Sequence, residues 1–183
     1  MKLMKSILIL IVLSLLSSCE PDNNETVITG STNVYLEIIK LNPFIVIPPF
    51  QNYAADSLDL NGDNQYEIIF IKSPKPALTG FGTETLIITK KNTQILLSGI
   101  NSYPDSISIN TRLEITANWS SGESKTYILQ SFQCNSESCP SIGNFVNETD
   151  KFIGYKIGGK MGWIKVDNSA QNDLVIKEYT VIK

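Results

Sequence analysis

The nine residues from Asp59 to Glu67 have the side chains and the spacing of a site for a hard cation. Asp59, Asn61, Asp63 and Glu67 place side-chain oxygens at positions 1, 3, 5 and 9, and Gln65 offers its backbone carbonyl at position 7. Ca²⁺ takes six to eight oxygens at about 2.3–2.6 Å, and a tightly turned loop aims alternate side chains at one point. This carboxylate-rich set predicts Ca²⁺ rather than Zn²⁺ or Cu²⁺. The alternative is an Asx-rich turn that binds no metal.

The segment resembles the D-x-[DN]-x-[DN]-G-x-x-[DE] calcium loops of FG-GAP and VCBS-type repeats, and more distantly those of dockerins and EF-hands. Asn64 replaces the usual glycine at position 6. Asparagine is the next best residue for a left-handed backbone, so the turn remains feasible. Phe70 stands where an EF-hand has its last glutamate, and the flanks are β-like, which disfavours an EF-hand. The resemblance implies a calcium loop that leads into a strand.

The first 18 residues form a secretory signal, in which Lys2 and Lys5 precede the apolar run Ser6–Leu16. That run is too short to span a bilayer stably. It ends in Leu16-Ser17-Ser18-Cys19, which resembles the lipobox of bacterial lipoproteins. The resemblance implies cleavage before Cys19 and lipidation of Cys19, and several acyl chains on one residue give stable membrane anchoring. An ordinary signal peptide followed by a chance cysteine is the alternative.

Residues 19–32 are predicted to be a flexible tether between the lipid and the folded body, because they are polar and have little to bury. Their acidic residues resemble the surface-export signal of Bacteroidota lipoproteins, and a plain solvated linker is the alternative. We therefore expect a cell-envelope protein that is anchored in the outer membrane, on its periplasmic or its surface face.

Removal of the leader leaves 165 of the 183 residues and changes the formal net charge from −3 to −5, because Lys2 and Lys5 are lost. This length predicts a single domain over residues 33–183 with a real hydrophobic core. An acidic chain lacks the basic footprint that nucleic-acid phosphates require, so no nucleic-acid partner is expected.

Cys134 and Cys139 are the two cysteines that remain after Cys19. An exported protein lies in an oxidising compartment, so a disulfide between them is favoured over free thiols. A zinc site would need two more soft ligands, and the chain contains no histidine.

The hydrophobic periodicity after residue 33 is two rather than 3.6, and no segment combines a helix cap with a helical stripe. The sequence therefore predicts an all-β fold, an antiparallel β-sandwich or jelly roll. The predicted strands are 34–39, 44–47, 66–72, 84–89, 93–97, 106–109, 112–117, 126–132, 152–157, 162–166 and 174–182.

The C-terminal third contains Phe152–Ile157, Gly162–Val166 and Leu174–Tyr179. These segments resemble the "FIGF … YGWI-x-V … I-x-x-Y" ending of many small secreted bacterial proteins, a group with no assigned chemistry. The resemblance implies secretion and a β architecture. Trp163 is expected to pack over an end of the sandwich or over the hairpin with Phe152–Ile157, or alternatively to stack on a sugar. Trp119 is a second candidate for ligand stacking because it lies near a loop.

An enzyme is not expected, because the absence of histidine excludes catalytic triads that use an imidazole base and no two glutamates are tied at a known separation. We predict a membrane-anchored, exported lipoprotein whose calcium-stabilised β-sandwich has a structural or interaction role. The alternative is a carbohydrate- or ligand-binding module on the cell surface, with a glycan or a protein as its partner.

Overall fold

The computed structural model describes residues 26–48, 54–75, 82–99, 102–133, 140–168 and 173–183. Within these ranges the regular secondary structure consists of strands, and no residue is helical. The described residues therefore contain no helix that is long and apolar enough to cross a membrane. The strands are β1 (Val27–Ile28), β2 (Leu36–Ile47), β3 (Ala54–Leu58), β4 (Ile68–Pro74), β5 (Gly82–Thr89), β6 (Thr93–Ile95), β7 (Leu97–Ser98), β8 (Tyr103–Pro104), β9 (Arg112–Leu113), β10 (Lys125–Gln133), β11 (Ser141–Ile142), β12 (Glu148–Ile157), β13 (Lys160–Asn168) and β14 (Leu174–Ile182).

Ten of the described strands form two five-stranded antiparallel sheets. The order in sheet I is β11-β10-β5-β4-β3, and the order in sheet II is β2-β14-β13-β12-β6. One hydrophobic core joins them, with Phe70 and Ile87 from sheet I and Ile153, Ile164 and Val166 from sheet II. The prediction of an all-β, antiparallel β-sandwich is confirmed.

The hairpin of β12 and β13 contains two glycines, each paired with an aromatic residue on the facing strand. Gly154 lies opposite Trp163, and Tyr155 lies opposite Gly162. Residues paired in this way share a face of the sheet, while neighbours along a strand alternate between faces. One aromatic side chain therefore lies on each face of sheet II, next to a position that has no side chain. The hairpin is buried on both faces, as the exposed fractions of Tyr155 and Trp163, both 0%, show.

The face of sheet II that carries Trp163 is covered by a layer that we call the covering layer, made of residues 26–31 and 105–113. Val27 pairs with Leu113 across β1 and β9, and both side chains are buried. The Thr29 hydroxyl donates to the Ser108 carbonyl at 2.7 Å. Ile107 exchanges both backbone hydrogen bonds with Phe152, at 2.9 and 3.0 Å, which attaches the covering layer to β12.

The predicted tether is wrong for residues 26–32. Val27 and Thr29 are buried, with exposed fractions of 1% and 0%, and residues 27–28 form a strand. The partner of this strand, Arg112–Leu113, lies 84 to 86 positions further along the sequence, so no local pattern predicts it. Residues 19–25 of the predicted tether, and the secretory signal before them, lie outside the described residues.

Candidate metal centre

The loop from Asp59 to Glu67 connects β3 to β4 in sheet I. Its base is closed by a hydrogen bond from the Glu67 N–H to the Leu58 carbonyl, at 3.0 Å. Gly62 and Asn64 have left-handed backbones, with φ of 73° and 63°. Asn64 thus adopts the left-handed conformation at the position where the similar calcium loops have glycine. These two residues produce the tight turn that an inward-facing set of side chains requires.

Asp59 is the centre of the hydrogen bonding inside the loop. One of its carboxylate oxygens, Oδ1, accepts from the N–H groups of Asn61 and Gly62 at 3.2 and 2.7 Å. The other oxygen, Oδ2, accepts from the Asn64 N–H at 2.8 Å. An aspartate that accepts from the backbone following it holds the chain in a turn. The carboxylate of Asp59 is therefore fixed on the inner side of the loop.

Asp63 and Asn61 form a second group of contacts. The Asp63 carboxylate accepts from the Gln65 N–H at 2.8 Å and from the Asn61 Nδ2 at 3.2 Å. The Asn61 Oδ1 accepts from the Asp63 N–H at 3.0 Å. Asp63 is exposed, whereas Asp59 is half-buried. Asn61 and Gln65, both predicted ligands, thus adjoin the carboxylates through hydrogen bonds to Asp63.

Glu67 fixes the loop to the protein core. Its side chain is 7% exposed, and its Oε2 accepts from the Leu60 N–H at 2.7 Å. Leu60 is fully buried, and its carbonyl accepts from the N–H of Ile182 at the end of β14, at 2.8 Å. The loop is therefore tied to both sheets, and Glu67 is held at its inner end.

The carboxylates of Asp59, Asp63 and Glu67 converge, with one oxygen of each within 4.8 Å of the others. Two oxygens that bind one Ca²⁺ at about 2.4 Å are at most about 4.8 Å apart, so this separation suits a single shared cation. Burial raises the pKa of Glu67, the Leu60 N–H lowers it, and the negative charges of Asp59 and Asp63 raise it further. A bound cation would relieve the repulsion among the three groups.

The two tryptophans differ in how far they are available to a ligand. Trp163 is fully buried, its ring meets Phe152 edge-on with centroids 5.2 Å apart, and its Nε1 donates to the Ser31 carbonyl at 2.9 Å. The stacking role considered for Trp163 is therefore wrong, and its packing on the Phe152–Ile157 strand is confirmed. Trp119 is half-buried against the core, with the ammonium of Lys156 5.0 Å from its ring centroid.

The predicted lipidation site, Cys19, and the predicted disulfide between Cys134 and Cys139 lie outside the described residues.

A pocket of about 600 Å³ adjoins the loop, and no sequence pattern predicts it. One wall is formed by Asp63, Tyr66 and Glu67. The other wall comes from the turn between β5 and β6, and includes Lys90, Lys91 and Thr93. The two walls are 23 or more residues apart in the sequence, so only the pairing of β4 with β5 brings them together.

The fold and the acidic loop together define a class of antiparallel β-sandwich with a candidate cation site on an inter-strand loop. No protein-family model matches the chain, and neither a curated protein nor a solved structure matches it. The assignment of function therefore depends on the residues of the site.

Proposed function

We propose that this protein is an exported, lipid-anchored β-sandwich in which the Asp59–Glu67 loop binds Ca²⁺, and that it has a structural or interaction role at the cell envelope. The observation that carries the metal assignment is the convergence of the Asp59, Asp63 and Glu67 carboxylates within 4.8 Å. The three groups come from one loop that is already closed by its own hydrogen bonds, so a cation would add rigidity to a formed turn.

The residues present fit Ca²⁺ by their chemistry. Three carboxylates supply hard oxygen ligands, and N–H groups of Asn61 and Gln65 hold the Asp63 carboxylate in place. Within the described residues this is the one group of three or more acidic, histidine or cysteine side chains that converges in this way. Bound Ca²⁺ would neutralise the repulsion that contributes to the raised pKa of Glu67.

Addition of Ca²⁺ to metal-free protein is expected to raise the melting temperature. A ligand at 100 times its Kd that binds only the folded state stabilises that state by about 2.7 kcal/mol. For a domain of this size that corresponds to a shift of about 5–10 °C, measured by calorimetry with and without EDTA. Asp63→Ala is the most informative variant, because it removes one of the three converging carboxylates at an exposed position, where the core packing is disturbed little.

The Asp63→Ala variant should have the same melting temperature in Ca²⁺ and in EDTA. Glu123→Gln, which changes an exposed glutamate outside the loop, should keep the full response. A wild-type melting temperature that is the same in Ca²⁺ and in EDTA would contradict Ca²⁺ binding by the Asp59–Glu67 loop.

The anchoring part of the proposal is supported by the position of Cys19 directly after the apolar run and two serines. In a bacterial host that processes lipoproteins, the full chain is expected to incorporate labelled palmitate and to fractionate with membranes. Cys19→Ser should abolish both. A Cys19→Ser protein that still carries the label would contradict lipidation at this residue.

A second candidate function is the binding of a glycan or another small ligand. The observation that favours it is the pocket beside the acidic loop.

A further inference from the structure

Sheet I has one face in the core and one face that points away from sheet II. Neighbouring residues of a strand point to opposite faces. Phe70 of β4 pairs with Ile87 of β5, and both side chains are fully buried, so these two residues mark the core face. The next pair along the two strands, Ile69 and Ile88, therefore points outward.

The outward face of sheet I is aliphatic at its centre. Five large apolar side chains lie on it, in two neighbouring rows that cross β4, β5 and β10: Ile69, Ile71, Leu86, Ile88 and Ile128. All five are half-buried, and none belongs to the core that joins the two sheets. We call these five residues the aliphatic face. Within the described part of the chain no layer covers it, whereas the covering layer buries the corresponding face of sheet II at Trp163.

The border of the aliphatic face is small or polar. The two rows end on β3 at Ser57 and Ala55, and one of them ends on β10 at Thr126. Neither row contains a charged side chain. The solvent-facing side of an antiparallel sheet normally carries polar residues. A contiguous apolar patch with a polar rim is instead typical of a surface that binds another molecule.

Two charged residues of opposite sign lie at the two ends of β5 on this outward side. Glu84 precedes Leu86 by two residues, and Lys90 follows Ile88 by two residues. The Lys90 N–H donates to the Glu67 carbonyl at 2.8 Å, which continues the pairing of β5 with β4 by one step beyond the strand. The alternation of side chains therefore still holds at Lys90, which is exposed.

Neither of these two charges is neutralised within the described part of the chain. Glu84 and Lys90 form no ion pair there. Lys75 reaches the same end of the sheet as Glu84, but its ammonium donates to the Ser131 hydroxyl at 2.9 Å. Six residues of a strand separate Glu84 from Lys90, a distance of about 20 Å, so the two cannot pair within one copy.

A second copy of the chain has the shape and the charges that fit this face. Two sheets pack face to face about 10 Å apart, with aliphatic side chains between them. With a two-fold axis that lies between the sheets and crosses β5 at Ile87, Ile88 of one copy lies over Leu86 of the other. The same axis places Glu84 of each copy over Lys90 of the other. Opposite charges then meet at both ends of the contact and like charges do not.

We propose that this protein forms a two-fold symmetric dimer through the aliphatic face of sheet I, in which Glu84 of each copy pairs with Lys90 of the other. Each copy contributes the same surface, as a two-fold contact requires. Four strands about 4.8 Å apart make the face about 20 Å wide. That width is at the low end for protein interfaces, so the dimer is expected to form reversibly. The dimer goes beyond the proposed function and depends neither on Ca²⁺ nor on the lipid anchor.

The test is carbodiimide cross-linking of the full chain in intact cells of a bacterial host that expresses it, followed by electrophoresis and mass spectrometry. Carbodiimide joins a carboxylate directly to an amine that it contacts. We expect a band of twice the monomer mass that contains a Glu84–Lys90 cross-link. Since these residues are about 20 Å apart in one copy, this cross-link joins two copies.

Glu84→Gln and Lys90→Gln, expressed separately, should each abolish that cross-link. Their co-expression should restore it, because a mixed dimer keeps one glutamate opposite one lysine. This complementation is specific to a contact between copies of the same chain.

A second pair of substitutions tests the aliphatic face itself. Leu86→Thr combined with Ile88→Thr removes apolar surface at its centre, and threonine keeps a preference for strands. The yield of cross-linked dimer should fall at least 10-fold, while the melting temperature should stay within about 5 °C of the wild type. Ile109→Thr combined with Ile115→Thr is the matched control. These two isoleucines are 58% and 46% exposed and lie outside sheet I, so the yield should equal that of the wild type.

Any of three results would overturn the dimer. These are the absence of the Glu84–Lys90 cross-link, a yield that the double threonine variant on β5 leaves unchanged, and cross-linking of Glu84 or Lys90 to a different host protein. The last result would assign the aliphatic face to another partner. If the double threonine variant lost its folded state, the complementation between Glu84→Gln and Lys90→Gln would still decide between a dimer and a monomer.

Discussion

Replacement of Trp163 by alanine is expected to lower the free energy of unfolding by about 4 kcal/mol, the usual cost of removing a large buried aromatic side chain. The indole is fully buried between sheet II and the covering layer, and it meets Phe152 edge-on. The variant also leaves the Ser31 carbonyl without its hydrogen bond from Nε1. The melting temperature should fall by about 10 °C, which calorimetry or denaturant unfolding will measure.

Two further variants separate the sources of that loss. Trp163→Phe keeps an aromatic ring but loses the hydrogen bond to Ser31, so a loss of about 1–2 kcal/mol is expected. Trp119→Ala removes a half-buried indole and should also cost less than Trp163→Ala. If Trp163→Ala lowered the free energy of unfolding by no more than Trp119→Ala does, that result would contradict the burial of the Trp163 indole under residues 26–31.

Gly162→Ala is expected to destabilise the protein by about 3 kcal/mol, the upper end of what an added methyl group costs in a tight core. A Cβ at this position would lie 2.3 Å from the Tyr155 ring and 2.6 Å from the Thr180 hydroxyl oxygen. Neither neighbour can move easily. The Tyr155 hydroxyl donates to the Thr180 carbonyl at 2.6 Å, and the Thr180 hydroxyl bonds to the Trp163 backbone.

Gly154→Ala is the matched control, because Gly154 occupies the corresponding position opposite Trp163. Its Cβ would meet Ile107, Leu96 and Leu113 side-chain atoms at 3.2–3.4 Å, and two of those are the mobile ends of aliphatic chains. We expect a change within about 1 kcal/mol of the wild type, since a smaller unfolded-state entropy offsets part of the contact. Denaturant unfolding measures the free energy of unfolding of Gly162→Ala and of Gly154→Ala. Equal losses in the two variants would show that the Tyr155 ring does not restrict position 162 to glycine.

The two glycines of this hairpin contribute differently to the C-terminal sequence pattern. Gly162 leaves room for the Tyr155 ring on the facing strand, whereas Gly154 faces the Ile107, Leu96 and Leu113 side chains. Packing within the hairpin therefore explains the glycine at 162.

The long strands were predictable because their apolar residues repeat with a period of two over many residues, as in β13 and β14. The short strands were not. Ala54–Leu58 forms β3 although alanine, aspartate and serine have little preference for strands, because it pairs along its whole length with β4. Residues 106–109 were expected to form a strand, but only Ile107 makes a β-bridge, to Phe152. Residues 112–117 pair only at β9, because the chain turns after Leu113.

The acidic loop was predictable because all its polar groups are close in sequence. Alternate spacing brought Asp59, Asp63 and Glu67 together, as expected from a turned loop. The pocket was not predictable, since Thr93, Lys90 and Lys91 reach it only through the pairing of β5 with β4.

The packing of residues 26–31 on sheet II limits the distance between the folded domain and a bilayer. Under the proposed anchoring, seven Cα–Cα steps join the lipid-bearing Cys19 to Thr26, and fully extended they span at most about 25 Å. Because Val27 is already paired with β9, the chain beyond Thr26 adds nothing to that reach. A molecule bound by this protein would therefore have to approach to within a few nanometres of the lipid headgroups.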